Sequence, residues 1–217
     1  MIKTFFIILF IIAGIYFVNQ DDFSSTINKV DIEGDFSFVD EQLITERAKL
    51  LIGKNLYNID LRYYKNEFEK IPWVKYSQIS INPPDRMTVK IIEHYPLFLW
   101  NESHYVNKEI QKFTTPNLTA KNILSLSSND YNHKDMYKLF QSIQSYLIDI
   151  DEVIFAISKQ DDMLEIKSEN LTITVRYSRY REKIREFVSI FPQFESKIQN
   201  RKKIHVDLRY PTGFAVR

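Results

Sequence analysis

Apolar and polar positions alternate through "INKVDIEG", residues 27–34, which reads as a strand closed by Gly34. From Val39 to Leu51 the spacing changes. Leu43, Ile44, Ala48 and Leu51 then share one helical face, with Gly53 placed as a C-cap glycine. A shorter helix is predicted from Leu61 to Lys70. After "IPWV" the period returns to two: Trp73, Ile79 and Ile81 share a phase, "NPPD" (82–85) turns the chain, and Met87, Val89 and Ile91 bring it back. The order is β-α-α-β-β within about 70 residues, enough for one compact unit.

A second region begins at Tyr95, with short strands predicted around Phe98–Trp100 and His104–Val106. Met136, Leu139, Phe140, Ile143, Leu147 and Ile150 follow helical spacing. So do Tyr180, Ile184, Phe187, Val188 and Phe191, a helix that Pro192 is expected to end. Between them "VIFAIS", "MLEIKS" and "LTITVRY" read as three strands of an antiparallel meander. In the final stretch Ile204, Val206, Leu208 and Tyr210 point one way and His205, Asp207 and Arg209 the other, before Pro211 and Gly213 break the pattern. The fold class is therefore α+β: a β-α-α-β-β unit followed by a larger, mostly antiparallel β-domain with two or three helices.

The N-terminal pattern differs from both regions. Phe5 to Val18, "FFIILFIIAGIYFV", runs for 14 residues without a charge. As a helix it spans roughly 21 Å, short of the ~30 Å hydrocarbon core. Eleven of the 14 are Ile, Leu, Phe or Val, which favours insertion by about 3–6 kcal/mol. A snorkelling Lys3 extends the span. A cut after Ser24 or Ser25 would place Asp22 or Phe23 three residues before the cleavage site, which suits no signal peptidase. The reading is an uncleaved single-pass transmembrane helix over 5–18. Residues 1–4 form a very short cytoplasmic end, and 19–26 a linker on the far side. Lys3 before the run and Asp21 and Asp22 after it orient the N-terminus inward. A cleaved signal peptide is the competing reading.

Composition narrows the chemistry. The chain of 217 residues is 44% hydrophobic and 26% charged, ordinary globular material. Lys and Arg total 29 against 28 Asp and Glu, so no broad basic face for nucleic acid is indicated. With no cysteine, disulfides, thiolate nucleophiles and Cys-based zinc sites are excluded. Gly14, Gly34, Gly53 and Gly213 are too scattered for a phosphate-cradling loop, and His94, His104, His133 and His205 stand far apart. Glu93 and His94 are adjacent strand residues that face opposite sides, so they do not cooperate as acid and base. No catalytic constellation emerges. The expectation is a protein that is not an enzyme, with no cofactor, no metal site and no small-molecule substrate.

Longer motifs carry a resemblance. "KVDIEG", "GKNLYNIDL", "IPWVKYSQISINPPDRMTVKIIEHYPLFLW" and the closing "VDLRYPTGFAVR" resemble, in order and spacing, the bacterial cell-division FtsQ (DivIB) family. The match includes Pro72-Trp73-Val74 and Glu93, Pro96 and Trp100. The resemblance implies a POTRA domain over 27–95 and a C-terminal β-rich FtsQ-type domain over 96–217. It implies an inner-membrane protein of the division septum, with its bulk in the periplasm. Such a protein links early division components to an FtsB- and FtsL-like pair and to septal peptidoglycan synthesis, with an FtsK-like contact through the POTRA region. Arg209, Tyr210 and Gly213 match the family's R-Y-x-x-G pattern in the last strand, where an FtsB-like partner adds a strand; Thr212 and Phe214 fall beside them. In the competing reading Tyr210 and Phe214 are core side chains and Pro211 and Gly213 only make a turn. The alternative function is that of another extracytoplasmic POTRA protein, acting in protein transport or outer-membrane assembly.

Overall fold

A computed structural model describes residues 26–115, 122–198 and 203–217. The transmembrane reading of 5–18 and nearly all of the 19–26 linker lie outside these residues. Among the described residues, no helix is long and apolar enough to cross a membrane. The chain divides into two compact units, meeting in sequence at His94 and Tyr95.

In the first unit, β1 (Lys29–Glu33), β2 (Val74–Asn82) and β3 (Arg86–Glu93) form a sheet of order β1-β3-β2. β1 runs parallel to β3 from the register Lys29↔Arg86, and β2 is antiparallel to β3. Two helices sit between β1 and β2, α1 (Glu41–Lys49) and α2 (Leu61–Glu69). Each starts where an aspartate caps it. The Asp40 side chain accepts from the Gln42 N–H, and Asp60 from those of Arg62 and Tyr63. The predicted β-α-α-β-β order is the observed one. Met87, Val89 and Ile91 alternate inward along β3, and Ile44, Ala48, Leu51 and Phe68 are buried in the same unit.

The same inward phase of β3 ends on a charge. Glu93 is buried, and its carboxylate accepts the backbone N–H groups of Ser37 (3.0 Å), Phe38 (3.1 Å) and Val39 (2.7 Å). The carboxylate thereby satisfies three donors just before α1, where the helix itself offers them no acceptor. Trp73 takes the left-handed φ of 71° and stacks on Phe38 at 4.6 Å. That backbone is unusual for a bulky residue and is held here by packing.

Among the described residues, the second unit is built on a sheet of nine strands. Its strands are β4 (Pro96–Trp100), β5 (His104–Asn107), β6 (Lys112–Phe113), β7 (Leu124–Ser128), β8 (Ile154–Gln160), β9 (Met163–Ser168), β10 (Leu171–Arg176), β11 (Ile204–Asp207) and β12 (Ala215–Val216). The order is β12-β11-β10-β9-β8-β7-β4-β5-β6. β8, β9 and β10 form the expected antiparallel meander. The sheet is mixed: among the described residues five of its eight pairings are antiparallel, and three, β4–β7, β7–β8 and β10–β11, are parallel. Two of these pairs enclose a helix, α3 (His133–Leu147) between β7 and β8, and α4 (Tyr180–Ile198) between β10 and β11. A parallel neighbour requires such a crossover. Both helices pack on the sheet, α3 through Met136, Leu139, Ile143 and Leu147, and α4 through Ile184 and Phe187.

Two expectations are corrected. α4 does not end before Pro192 but continues through it to Ile198. A proline removes one backbone donor and crowds the preceding turn, a cost that the burial of Ile184, Phe187 and Phe191 on this helix outweighs. The closing strand does not run to Tyr210. β11 stops at Asp207, and the chain arches over 208–214 before returning as β12. Lys159 of β8 is also turned inward. It is 2% exposed, pairs with Asp130, and lies over the rings of Tyr131 (4.4 Å) and Tyr177 (4.8 Å).

Candidate functional site: the C-terminal sheet edge

The arch between β11 and β12 is held at each of its ends. Leu208 is buried, and its N–H donates to the Thr174 carbonyl (2.8 Å). Phe214 sits edge-to-face on Phe187 of α4, with ring centres 5.6 Å apart. The middle is tied by a residue that the sequence reading did not single out. Lys183 of α4 is 3% exposed, and its ammonium donates to the Pro211 carbonyl (3.1 Å) and to the Glu186 carboxylate (2.8 Å). Its signal was present: position 183 falls on the apolar stripe of Tyr180, Ile184 and Phe187, where a lysine has no packing reason to be.

Between these anchors Arg209, Tyr210, Pro211, Thr212 and Gly213 are exposed. Arg209 is already engaged. Its Nε and Nη2 donate to the two oxygens of Asp207, at 2.8 and 2.5 Å, and its backbone N–H also reaches Asp207 (3.1 Å). The guanidinium beside Asp207 holds that carboxyl below the usual carboxylate range. Tyr210 is 47% exposed, so it is not a core side chain. Gly213 has a φ of +70° with open space where a Cβ would stand. Its role is conformational, a left-handed turn residue that admits β12. The five predicted residues thus fall into two groups. Arg209, Tyr210, Thr212 and Gly213 lie on the outer surface of the arch, whereas Phe214 is anchored inward.

Among the described residues, β12 is the outermost strand of the sheet on this side. Its ladder with β11 begins with a closed pair, His205 and Arg217 exchanging two backbone bonds of 3.0 Å each. Val216 stands opposite Val206. Because hydrogen-bonded and non-hydrogen-bonded pairs alternate in an antiparallel ladder, the N–H and C=O of Val216 are directed away from β11. Polar backbone on a sheet edge is a template for another strand. No group of three or more His, Cys, Asp or Glu side chains among the described residues could hold a metal ion.

Comparison with known proteins agrees with the motif resemblance. Residues 25–94 match the family model for the FtsQ-type POTRA domain. The cell division protein FtsQ of Haemophilus influenzae is 26% identical over 230 residues, covering 99% of this chain and 89% of the relative. FtsQ of Bordetella pertussis is 23% identical, covering 95% and 84%. FtsQ of Actinobacillus pleuropneumoniae serotype 3 is 25% identical, covering 75% and 72%. The POTRA match and the observed β-α-α-β-β unit identify an FtsQ-type POTRA domain, in a chain similar along almost its whole length to FtsQ cell division proteins.

Proposed function

We propose that this protein is a septal scaffold whose C-terminal sheet is completed by a strand from an FtsB-like division protein. Through that partner and an FtsL-like companion it links early division components to septal peptidoglycan synthesis. Residues 5–18 anchor it in the inner membrane with the N-terminus inside, 19–26 lead out, 27–95 act as the POTRA domain, and 96–217 as the partner-binding domain in the periplasm. An FtsK-like protein is the proposed contact of the POTRA region.

The observation that carries this reading is the outward-directed backbone of Val216 on the outermost strand. Strand addition draws affinity from such a row of main-chain groups and specificity from side chains beside it. Arg209, Tyr210, Thr212 and Gly213 lie next to that row on the arch. Tyr210 offers a rigid amphipathic anchor, the type enriched in binding hot spots. Arg209, half of whose fork is closed on Asp207, presents its remaining donors in a fixed orientation to a partner carboxylate. Phe214 supports the surface from beneath.

Calorimetry of the full chain with its FtsB-like partner tests the assignment. Tyr210→Ala is expected to weaken binding at least about tenfold, with the circular dichroism spectrum unchanged. Unaltered affinity in a folded variant would remove Tyr210 from the interface.

A further inference from the structure

Three side chains that follow α1 are exposed despite being large and apolar. Leu50, Ile52 and Tyr57 are 56%, 49% and 51% accessible. Their segment, 50–57, is fastened to the point where the chain enters the first unit. The Ile27 N–H donates to the Lys54 carbonyl (2.9 Å), the Gly53 N–H donates to the Ile27 carbonyl (2.8 Å), and Thr26 bridges Asn55. Leu50 and Lys54 line one shallow cleft with Tyr63, itself 55% exposed. Lys49 and Lys54 are exposed as well. The turn between β2 and β3 lies at this same end, because Asn28 bonds to the Asp85 carbonyl and Lys29 is in register with Arg86.

Exposed aliphatic residues with tyrosines and lysines around them are what an interfacial membrane contact is made of. The aliphatic groups enter the boundary between headgroups and acyl chains, the tyrosines sit at headgroup level, and the lysines face lipid phosphates. The length of chain upstream identifies the occupant. Seven residues, 19–25, separate Thr26 from Val18, the last residue of the 14-residue apolar run. Eight backbone steps reach at most about 29 Å in any conformation. Segment 50–57, bonded to Thr26 and Ile27, is held within that tether of the end of the run.

We infer that segment 50–57, with Tyr63, docks the first unit on the lipid surface. The inference rests on the reading of residues 5–18 as a membrane anchor. The tether makes docking an intramolecular event, so a contact too weak to recruit a free protein suffices to orient an anchored one.

The absence of cysteine from the chain makes a clean test possible, because one introduced cysteine labels one site. Asn58→Cys places an environment-sensitive fluorophore at the exposed end of the segment without removing Leu50, Ile52 or Tyr57. Asp35→Cys labels an exposed position beyond the opposite end of β1, and Phe10→Cys labels the apolar run. The full chain is reconstituted in phosphatidylethanolamine–phosphatidylglycerol vesicles whose acyl chains carry bromine as quencher. The expected result is strong quenching at position 10, loss of about half the emission at position 58, and none at position 35. Adding Ile52→Asp to Asn58→Cys is expected to restore the emission. Quenching at 10 without quenching at 58 overturns the docking and leaves the anchor standing, assigning the apolar segment to a protein partner. Equal quenching at 35 and 58 overturns it too, since contact would not be confined to this end. No quenching at 10 removes the anchor reading, and the docking with it.

Discussion

The ammonium of Lys183 donates to the carbonyl oxygen of Pro211 across 3.1 Å, joining the buried face of α4 to the middle of the arch that precedes β12. β12 is only two residues long. Its position relative to β11 therefore depends on the arch as much as on its own ladder. Lys183→Met keeps the apolar stem and removes the donor. The expected outcome is faster hydrogen exchange at Ala215 and Arg217 with a global melting temperature several degrees lower, about 1.5–3 kcal/mol for the charged hydrogen bond to Pro211, the half-exposed Glu186 pair adding little. Unchanged exchange at those amides would show that the arch holds without the lysine.

Asp207 and Arg209 form the clasp at the start of the arch, and pH opens it from the acid side. The guanidinium depresses the Asp207 pKa below its ordinary value. A depressed carboxylate contributes stability that is fully present above the unfolded pKa of about 3.9 and is lost as pH falls through the folded value. Asp207→Asn is therefore expected to lower the melting temperature at pH 7, and to differ progressively less from the natural chain as pH drops below about 4. Melting curves of both proteins across that range check the sign. A difference that grows toward low pH would contradict the clasp.

Glu93 sustains the first unit in a comparable way. Its carboxylate is the acceptor for Ser37, Phe38 and Val39, ahead of the Asp40 cap. Glu93→Ala strands three donors and is expected to destabilise the first unit by about 3 kcal/mol. Glu93→Gln keeps one acceptor oxygen and falls between. Urea denaturation followed by Trp73 fluorescence, with Trp100→Phe as the background, measures both.

Periodicity disclosed much of this architecture and missed a particular class of feature. The β-α-α-β-β order and the β8–β10 meander were legible because each element keeps a single period over its length. The parallel pairs β7–β8 and β10–β11 were not read, although each has a helix between its strands, because strand direction is set by the crossover and not by alternation along one strand. Pro192 misled for a related reason: a local rule was overridden by the burial of Phe187 and Phe191. The pattern ending at Tyr210 misled because Leu208 stays in phase with the strand after the strand has ended. At the edge, the motif picked out the exposed arch residues, whereas the supports went unread. Glu93, Lys159 and Lys183 all occupy positions that the apolar phase turns inward, and each holds a backbone group in place. A charge in an apolar phase was the available signal.

The central claim concerns backbone, and one substitution reaches it without touching the side chains of the arch. The Val216 N–H is directed away from β11, so Val216→Pro removes an edge donor and leaves the internal ladder intact, as proline does on an edge strand. Calorimetric titration of full-length Val216→Pro with the FtsB-like partner, beside its melting curve, is the most direct measurement. Strand addition predicts affinity reduced at least about tenfold with the melting temperature preserved; full affinity in the folded variant would contradict it.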